Sequence, residues 1–230
     1  MNLIAMLCFV GTFICYVLVK KLHKKYPYML LAPGIFVPFI IIVFMLIFHV
    51  SYETYMIESQ WIIWMLGPAT IAFAIPIYEY RQVIKEHALA ISLGIIIGMF
   101  AGVVSSFYLA KLFSFNPETS YSLMARSIST PFAMELTSNI GGSVELVILF
   151  TMITGIVGVA MGDLILLGLK LNSRFAQGAL LGNSAHGFGT SKAFMRNREE
   201  GVVACLTMVL AGIFMVLFGP MMIQFTVTYL

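Results

Sequence analysis

Charged residues are scarce in this chain. Its 230 residues include only 13 Lys and Arg and 10 Asp and Glu, whereas 60% are hydrophobic and the mean hydropathy is +0.99. A single soluble core of this size cannot cover so much apolar surface, but a lipid bilayer solvates it on all sides. The composition therefore excludes an ordinary soluble protein and predicts an all-α, polytopic membrane protein.

Cysteine is also rare, and its three positions show no ligand pattern. Cys8, Cys15 and Cys205 lie in apolar stretches without a CxxC or Cys/His spacing, so we expect no disulfide framework, no metal and no cofactor. The net charge of +3 comes from short basic clusters between apolar runs. Such clusters are typical of cytoplasmic loops, and we expect no nucleic-acid partner.

Catalytic motifs are missing as well. The sequence has no GxSxG, HExxH or paired-aspartate motif. Ser184 and His186 are two residues apart, which places them on divergent faces of a helix, and no third group is positioned to orient them. We therefore do not expect an enzyme.

Long uncharged runs are what the sequence has in abundance, and about 20 apolar residues suffice to span a bilayer. One transmembrane domain is predicted over residues 1–230, and the first run lacks the features of a cleaved signal peptide. Two further segments, 120–142 and 175–191, are long enough but rich in small and polar residues, so they either cross in broken form or re-enter. The six firm transmembrane helices are predicted at 1–19, 26–52, 60–78, 88–110, 146–169 and 201–230.

The basic clusters predict the orientation in the membrane. Lys20 to Lys25 follow the first run and Arg81 and Lys85 follow the third, so these loops are expected in the cytoplasm and the N-terminus outside. The later clusters around Lys170 and Lys192 also fall in the cytoplasm if both ambiguous segments re-enter. If both segments cross, one of these clusters falls outside, so the charge rule favours re-entry.

An internal duplication is a further expectation, because transporters are often built from repeats. Residues 66–87 and 181–201 share an order of Leu-Gly, a small and polar core, a charged loop and a long apolar helix. The corresponding repeats would be 1–114 and 115–230, with chance similarity as the alternative. The segment that would match 182–190 contains Pro68, Thr70 and Pro76.

Two interrupted segments are candidates for a binding site, since broken backbone survives at membrane depth only where protein or water covers it. In GNSAHGFGT, residues 182–190, three glycines oppose a continuous helix, and a half-helix starting there would point free N–H groups at an anion. Close helix packing is the alternative interpretation. His186 is either a proton carrier, because histidine titrates near physiological pH, or a packing residue.

The other segment, residues 126–142, adds intramembrane charge. Arg126 and Glu135 flank Pro131. Arg126 either pairs with Glu135, receives a substrate carboxylate, or extends to the membrane interface. The predicted substrate-binding residues of the two segments are Arg126, Ser129, Thr130, Glu135, Asn183, Ser184, His186, Gly187, Gly189 and Thr190.

The motifs RSISTPFAMELTSNIGG (126–142), GALLGNSAHGFGTSKA (178–193) and LGPATIAFAIPIY (66–78) resemble the LrgB/CidB family of bacterial membrane proteins. The resemblance implies a multi-pass protein of the bacterial cytoplasmic membrane that works with a smaller LrgA/CidA-type membrane protein. Family members are described as holin-like or antiholin-like and linked to murein hydrolase control and cell lysis. Relatives such as the chloroplast glycolate/glycerate carrier are associated with transport of small monocarboxylates.

The residues help to choose between these functions. A lesion-forming holin needs little internal polar detail, whereas this chain has an arginine and a histidine that suit a small carboxylate anion and three segments interrupted by Gly or Pro, at 68–76, 127–142 and 182–190. We therefore expect an oligomeric carrier of small monocarboxylates such as pyruvate or glycolate, which affects lysis through metabolite flux. The alternatives are a non-transporting, antiholin-like regulator of murein hydrolases and a bare pore.

Overall fold

The computed structural model describes residues 3–26, 28–72 and 74–230, with all of their side chains except those of Met29, Thr70 and Ala74. These residues form helices joined by short turns, and no strand occurs among them. The prediction of an all-α protein is confirmed. The chain divides into two compact units, with the boundary after Ala69.

The first unit contains α1 (Leu3–Lys25), a 3-10 turn (Met29–Leu31), α2 (Pro33–Ile47), α3 (Tyr52–Trp64) and the start of α4 (Leu66–Ala72). Helix α1 packs against α2 and α3, and the hydroxyls of Thr12 and Tyr55 lie 3.1 Å apart across the α1–α3 contact. Ser51 begins α3 because its hydroxyl accepts a hydrogen bond from the Thr54 amide at 3.2 Å.

The second unit is built around α12, the most buried of the long apolar helices. Met99 and Val103 of α7, Leu136 of α9 and Met215 of α12 lie fully buried in its main apolar cluster. The helices of this unit are α5 (Ala74–Glu79), α6 (Arg81–Glu86), α7 (Ala88–Leu112), α8 (Pro117–Ala125), α9 (Thr130–Ile140), α10 (Val144–Leu169), α11 (Arg174–Arg196) and α12 (Arg198–Tyr229).

Four helices in the described part of the chain are long and apolar enough to cross a membrane: α1, α7, α10 and α12. The other two of the six predicted spans are not confirmed. Residues 26–52 contain a 3-10 turn and a helix of 15 residues that begins at Pro33. Residues 60–78 contain the end of α3, a turn at Met65, α4 and α5, and residue 73 between α4 and α5 lies outside the described part of the chain. Pro68 cannot donate to the carbonyl of Trp64, the residue at which α3 ends.

Helix α11 is a hairpin and not one straight helix. The guanidinium of Arg196 donates to the side-chain oxygen of Gln177 at 2.9 Å. In a straight helix, positions 19 residues apart would be separated by about 28 Å. The chain reverses at His186, whose φ of 50° and ψ of −126° are not helical, and Gly189 lies directly against the Leu181 carbonyl. Residues 174–196 therefore fold back on themselves, as the re-entrant interpretation requires. We call them the second hairpin, because another hairpin, described next, precedes them in the chain.

Helices α8 and α9 with their linker form the first hairpin, residues 117–140. Residues 126–129 separate the two helices, and Pro131 lies in the first turn of α9. Beyond α9, Gly141 adopts the left-handed conformation with φ 81°, which brings the chain back. The Ser143 amide then donates to the Ser122 hydroxyl at 2.8 Å, so the start and the end of this segment are tied together.

Candidate functional site

The two hairpins lie along different halves of α12. Gly182 of the second hairpin packs against Ala204 of α12, and Thr190 donates to the Met208 sulfur at 3.6 Å. Further along α12, Gly212 lies against Phe132 of the first hairpin, and Gly219 lies against Leu136. The hairpins therefore approach each other from opposite ends of α12, and their tips lie closest to its residues 207–212.

The contacts of the two hairpins with α7 and α10 also show that the hairpins point toward each other. Along α7, Gly98 faces Asn183 of the second hairpin and Gly102 then faces Ser127 of the first. Along α10 the order is reversed, since Thr154 binds Arg126 of the first hairpin and Gly158 then faces Ser184 of the second. The two helices therefore run antiparallel, and both hairpin tips lie near the middle of these apolar spans.

Arg126 forms the first tip. It follows α8 directly, is half-buried, and donates through Nη1 to the Thr154 hydroxyl oxygen at 2.8 Å. The Thr154 hydroxyl donates its own hydrogen to the Phe150 carbonyl at 2.7 Å, so its oxygen is oriented to accept from Arg126. Arginine has five N–H donors in a planar fork, so this bond leaves donors of the guanidinium for a ligand.

His186 forms the second tip. The residue is only 4% exposed, and its imidazole lies near the Ser127 backbone and within range of the Arg126 charge. Neither ring nitrogen makes a well-formed hydrogen bond within the described part of the chain. The break in the second hairpin therefore places a buried, unsatisfied imidazole beside the arginine of the first hairpin.

Glycines of α7 allow the tips to approach. A Cβ at Gly98 would lie 2.5 Å from the Asn183 side-chain nitrogen, and a Cβ at Gly102 would lie 2.6 Å from the Ser127 hydroxyl. Because these glycines are one helical turn apart, the Asn183 amide and the Ser127 hydroxyl meet α7 at points about 6 Å apart along its axis.

Glycines of α10 accommodate the second tip from another side. A Cβ at Gly155 would lie 2.6 Å from the Phe188 ring, and one at Gly158 would lie 2.7 Å from the Ser184 carbonyl oxygen. Gly155 and Gly158 thus allow the backbone of the second hairpin to approach α10 closely.

Six of the ten buried side-chain polar atoms without a hydrogen-bond partner among the described residues lie on the two hairpins and α10, and the other four lie on α1, α3, α7 and α12. The six are the Asn183 side-chain oxygen, the hydroxyls of Ser129, Thr137 and Thr151, and both nitrogens of His186. A buried polar group without a partner costs about 1–3 kcal/mol, and such groups are few in native proteins. The unpaired atoms of Asn183 and His186 lie at the second tip, where a polar ligand could bond them.

The other predicted residues are placed as follows. Glu135 is exposed on α9, accepts from Asn139 at 3.2 Å, and forms no ion pair with Arg126. Thr130 is half-buried at the start of α9, and the exposed Ser184 donates to the Leu180 carbonyl. Gly187 is exposed beside the break, whereas Gly189 and Thr190 are buried in the second arm.

The candidate repeat-mate segment lies elsewhere in the chain. Pro68 is in α4 and Pro76 in α5, the helix that packs against α12 through Ile77. The Thr70 side chain and residue 73 lie outside the described part of the structure.

Sequence reasoning missed Thr154 and the glycines that receive the tips. Gly98 and Gly102 belong to a Gly-xxx-Gly-xxx-Gly pattern on α7 that starts at Gly94, and this signal is readable in the sequence. Thr154 carries no comparable signal, because a lone threonine in an apolar helix ordinarily bonds its own backbone.

Long apolar helices around two opposed hairpins define this chain as a multi-pass helical membrane protein. The chain belongs to the LrgB-like family, whose model matches residues 12–225. It is 33% identical over 220 residues to the uncharacterized protein YxaC of Bacillus subtilis, covering 96% of each chain. It is 30% identical over 219 residues to the holin-like protein CidB of Staphylococcus aureus, covering 95% of this chain and 96% of that one. No solved structure matches it.

Proposed function

We propose that this protein is a carrier of small monocarboxylates such as pyruvate or glycolate in the bacterial cytoplasmic membrane. It acts with an LrgA/CidA-type partner, as part of an oligomer, and its effects on murein hydrolase activity and lysis follow from metabolite flux. The observation that carries the proposal is the placement of Arg126 and His186 at the tips of two opposed hairpins, where Arg126 binds neutral Thr154.

Three features support a carboxylate as the ligand. Arginine recognises a carboxylate through two parallel hydrogen bonds, and a charged group inside a membrane protein ordinarily pairs or lines a substrate path. Arg126 makes no ion pair with an acidic side chain of the described residues and instead binds neutral Thr154. Discontinuous helices that meet near the middle of the membrane are a recurring way to build transporter sites.

Flux measurements in proteoliposomes test the proposal. The protein is reconstituted with and without the LrgA/CidA-type partner, and uptake of labelled pyruvate, lactate, glycolate and glycerate is followed. We expect saturable uptake that Arg126→Gln abolishes, while Arg81→Gln, which removes an exposed arginine bonded to the Tyr78 carbonyl, leaves it intact. Absence of uptake for all four solutes in folded, correctly oriented wild-type protein refutes the carrier.

The second candidate is a non-transporting, antiholin-like regulator of murein hydrolases, favoured by the name of the holin-like relative CidB. A regulator that works through oligomerisation and partner contacts does not need the buried tips. It predicts that Arg126→Ala and His186→Ala leave a lysis phenotype intact, whereas substitutions on the surface that contacts the partner remove it. The carrier predicts the reverse.

A further inference from the structure

A cavity of about 560 Å³ lies at the open end of the second hairpin, where its two arms and the end of α10 come together. We call it the mouth cavity. Its polar lining consists of Asp163, Lys170, Asn172, Gln177 and Arg196, and leucines of α10 and the following turn complete it. Basic residues surround this end of the hairpin, which the charge pattern assigns to the cytoplasm.

Most charges around the mouth cavity are already paired. Asp163 binds Lys192, Arg196 lies 3.4 Å from Glu200, and Arg174 lies 3.3 Å from Glu199. Lys170 forms no ion pair with any of the residues that the structure describes. The mouth cavity therefore carries a surplus positive charge, and that charge is on Lys170.

The backbone at Lys170 is unusual. It adopts the left-handed conformation, with φ 48° and ψ 41°, at the end of α10. This C-terminal position favours glycine, which has no Cβ, and a lysine there strains the backbone. His49 and Ser114 adopt a similar φ just beyond the ends of other helices, and glycine at position 170 would relieve the strain without a change of fold.

A seam of close contacts runs from the mouth cavity to the tips along α10. Gly162 faces Leu181, Gly158 faces the Ser184 carbonyl, and one turn further Thr154 binds Arg126. Asp163 at the cavity and Thr154 at the tips are separated by about 14 Å along the helix. These contacts close the path between the mouth cavity and the tips. An anion that enters from this side would therefore remain in the mouth cavity until the contacts open.

We propose that the mouth cavity is an anion-receiving subsite that collects the carboxylate on the cytoplasmic side before the seam opens. Lys170 supplies the attracting charge and Asn172 a hydrogen-bond donor, while Gln177 and Arg196 are held in place by bonds to Leu171, to each other and to Glu200. A cleft with a net positive charge raises the local concentration of an anionic ligand. The identity of the anion rests on the proposed function, but the presence of an anion site does not.

Thiol labelling at the cavity tests the charge directly and requires no transport. Asn172→Cys is made in a background in which Cys8, Cys15 and Cys205 are replaced by Ala, and the purified protein is placed in nanodiscs of zwitterionic lipid. The rates of reaction with anionic methanethiosulfonate ethylsulfonate and its cationic trimethylammonium analogue are compared. We expect the anionic-to-cationic rate ratio at position 172 to exceed that at an exposed control cysteine, and Lys170→Gly to lower it at least threefold.

Two controls separate charge from structure. Lys170→Gly relieves the backbone strain and so keeps the fold, and Lys170→Arg keeps the charge and should keep the ratio. A cysteine at Asn139, an exposed residue of α9, should show a ratio that Lys170→Gly does not change. An unchanged ratio at position 172 in Lys170→Gly, or an equal loss in Lys170→Arg, overturns the inference.

Flux from each side separates this inference from the proposed function. In oriented proteoliposomes, Lys170→Gly should raise the KM for uptake from the cytoplasmic side three- to tenfold and leave the KM from the other side unchanged. Normal flux with both KM values unchanged refutes the subsite alone. Absence of all wild-type flux together with Lys170-dependent labelling refutes the carrier and retains the anion site.

Discussion

Gly98 and Gly94 lie one turn apart on α7, but a side chain at each would meet different surroundings. A Cβ at Gly98 would lie 2.5 Å from the Asn183 side chain, whereas a Cβ at Gly94 would meet nothing within 4 Å. We predict that Gly98→Ala displaces the Asn183 amide from the tips and raises the KM for transport about tenfold, equivalent to about 1.4 kcal/mol. Flux assays measure the change.

Gly94→Ala is the matched control for this substitution. Both variants replace glycine within one helix, a change that favours the helix by about 1 kcal/mol in propensity. Gly94→Ala should therefore keep the wild-type KM with equal or higher thermal stability. Equal KM values in the two variants would show that Asn183 does not act at the site.

Thr154 is a residue whose role is visible only in the folded protein. Thr154→Val keeps the shape of the side chain but removes the oxygen that accepts from Arg126. Hydrogen bonds to charged groups contribute about 1.5–3 kcal/mol, so we predict a loss of at least tenfold in kcat/KM for carboxylate flux. Thr226→Val, which also removes a buried hydroxyl bonded to its own helix, should leave kcat/KM unchanged. Similar losses in both variants would make Thr154 a structural residue only.

His186 combines a backbone role with a chemical one, and two substitutions separate them. Its φ of 50° is strained for any residue with a Cβ, and glycine tolerates it. We predict that His186→Gly keeps or raises thermal stability but loses carboxylate flux, while His186→Ala loses flux and keeps the strain. Flux in His186→Gly at the wild-type level would mean that the imidazole only fills space.

Among the helices, α11 shows both what the sequence predicts and what it does not. Three glycines within residues 182–190 predicted an interruption, and the chain breaks at His186. The partners of that break could not be predicted, because the contacts with Gly98, Gly155 and Gly158 join residues far apart in the chain and depend on how the helices pack. Composition also predicted one transmembrane helix over residues 60–78. The structure instead ends α3 at Trp64 and begins α4 at Leu66 in this apolar run.

The hairpin form of α11 is measurable by distance. Spin labels on cysteines at Arg174 and Met195, both exposed, would lie about 31 Å apart along a straight helix. The hairpin predicts less than half of that separation in double electron–electron resonance. Labels at Arg198 and Phe218 of the unbroken α12 provide the control and should lie about 30 Å apart. Similar distances for the two pairs would refute the hairpin.

Over the second unit as a whole, the opposition of the hairpins favours the proposed carrier over a pore. The tips are closed by Gly98, Gly102 and Gly158, and no open passage is required if the hairpins open in turn. The CidB relative is named for a holin-like role, and a carrier reaches such a role through the metabolites that it moves. The polar detail at the tips is what distinguishes these two descriptions.

Counterflow is the most direct test of the proposed carrier. Proteoliposomes are loaded with unlabelled carboxylate and diluted into a trace of the labelled compound. If the protein is a carrier, the label transiently accumulates inside above its equilibrium level, and Arg126→Gln abolishes the accumulation. Uptake that only approaches equilibrium and is insensitive to Arg126→Gln would indicate a pore, and no uptake at all would contradict transport itself.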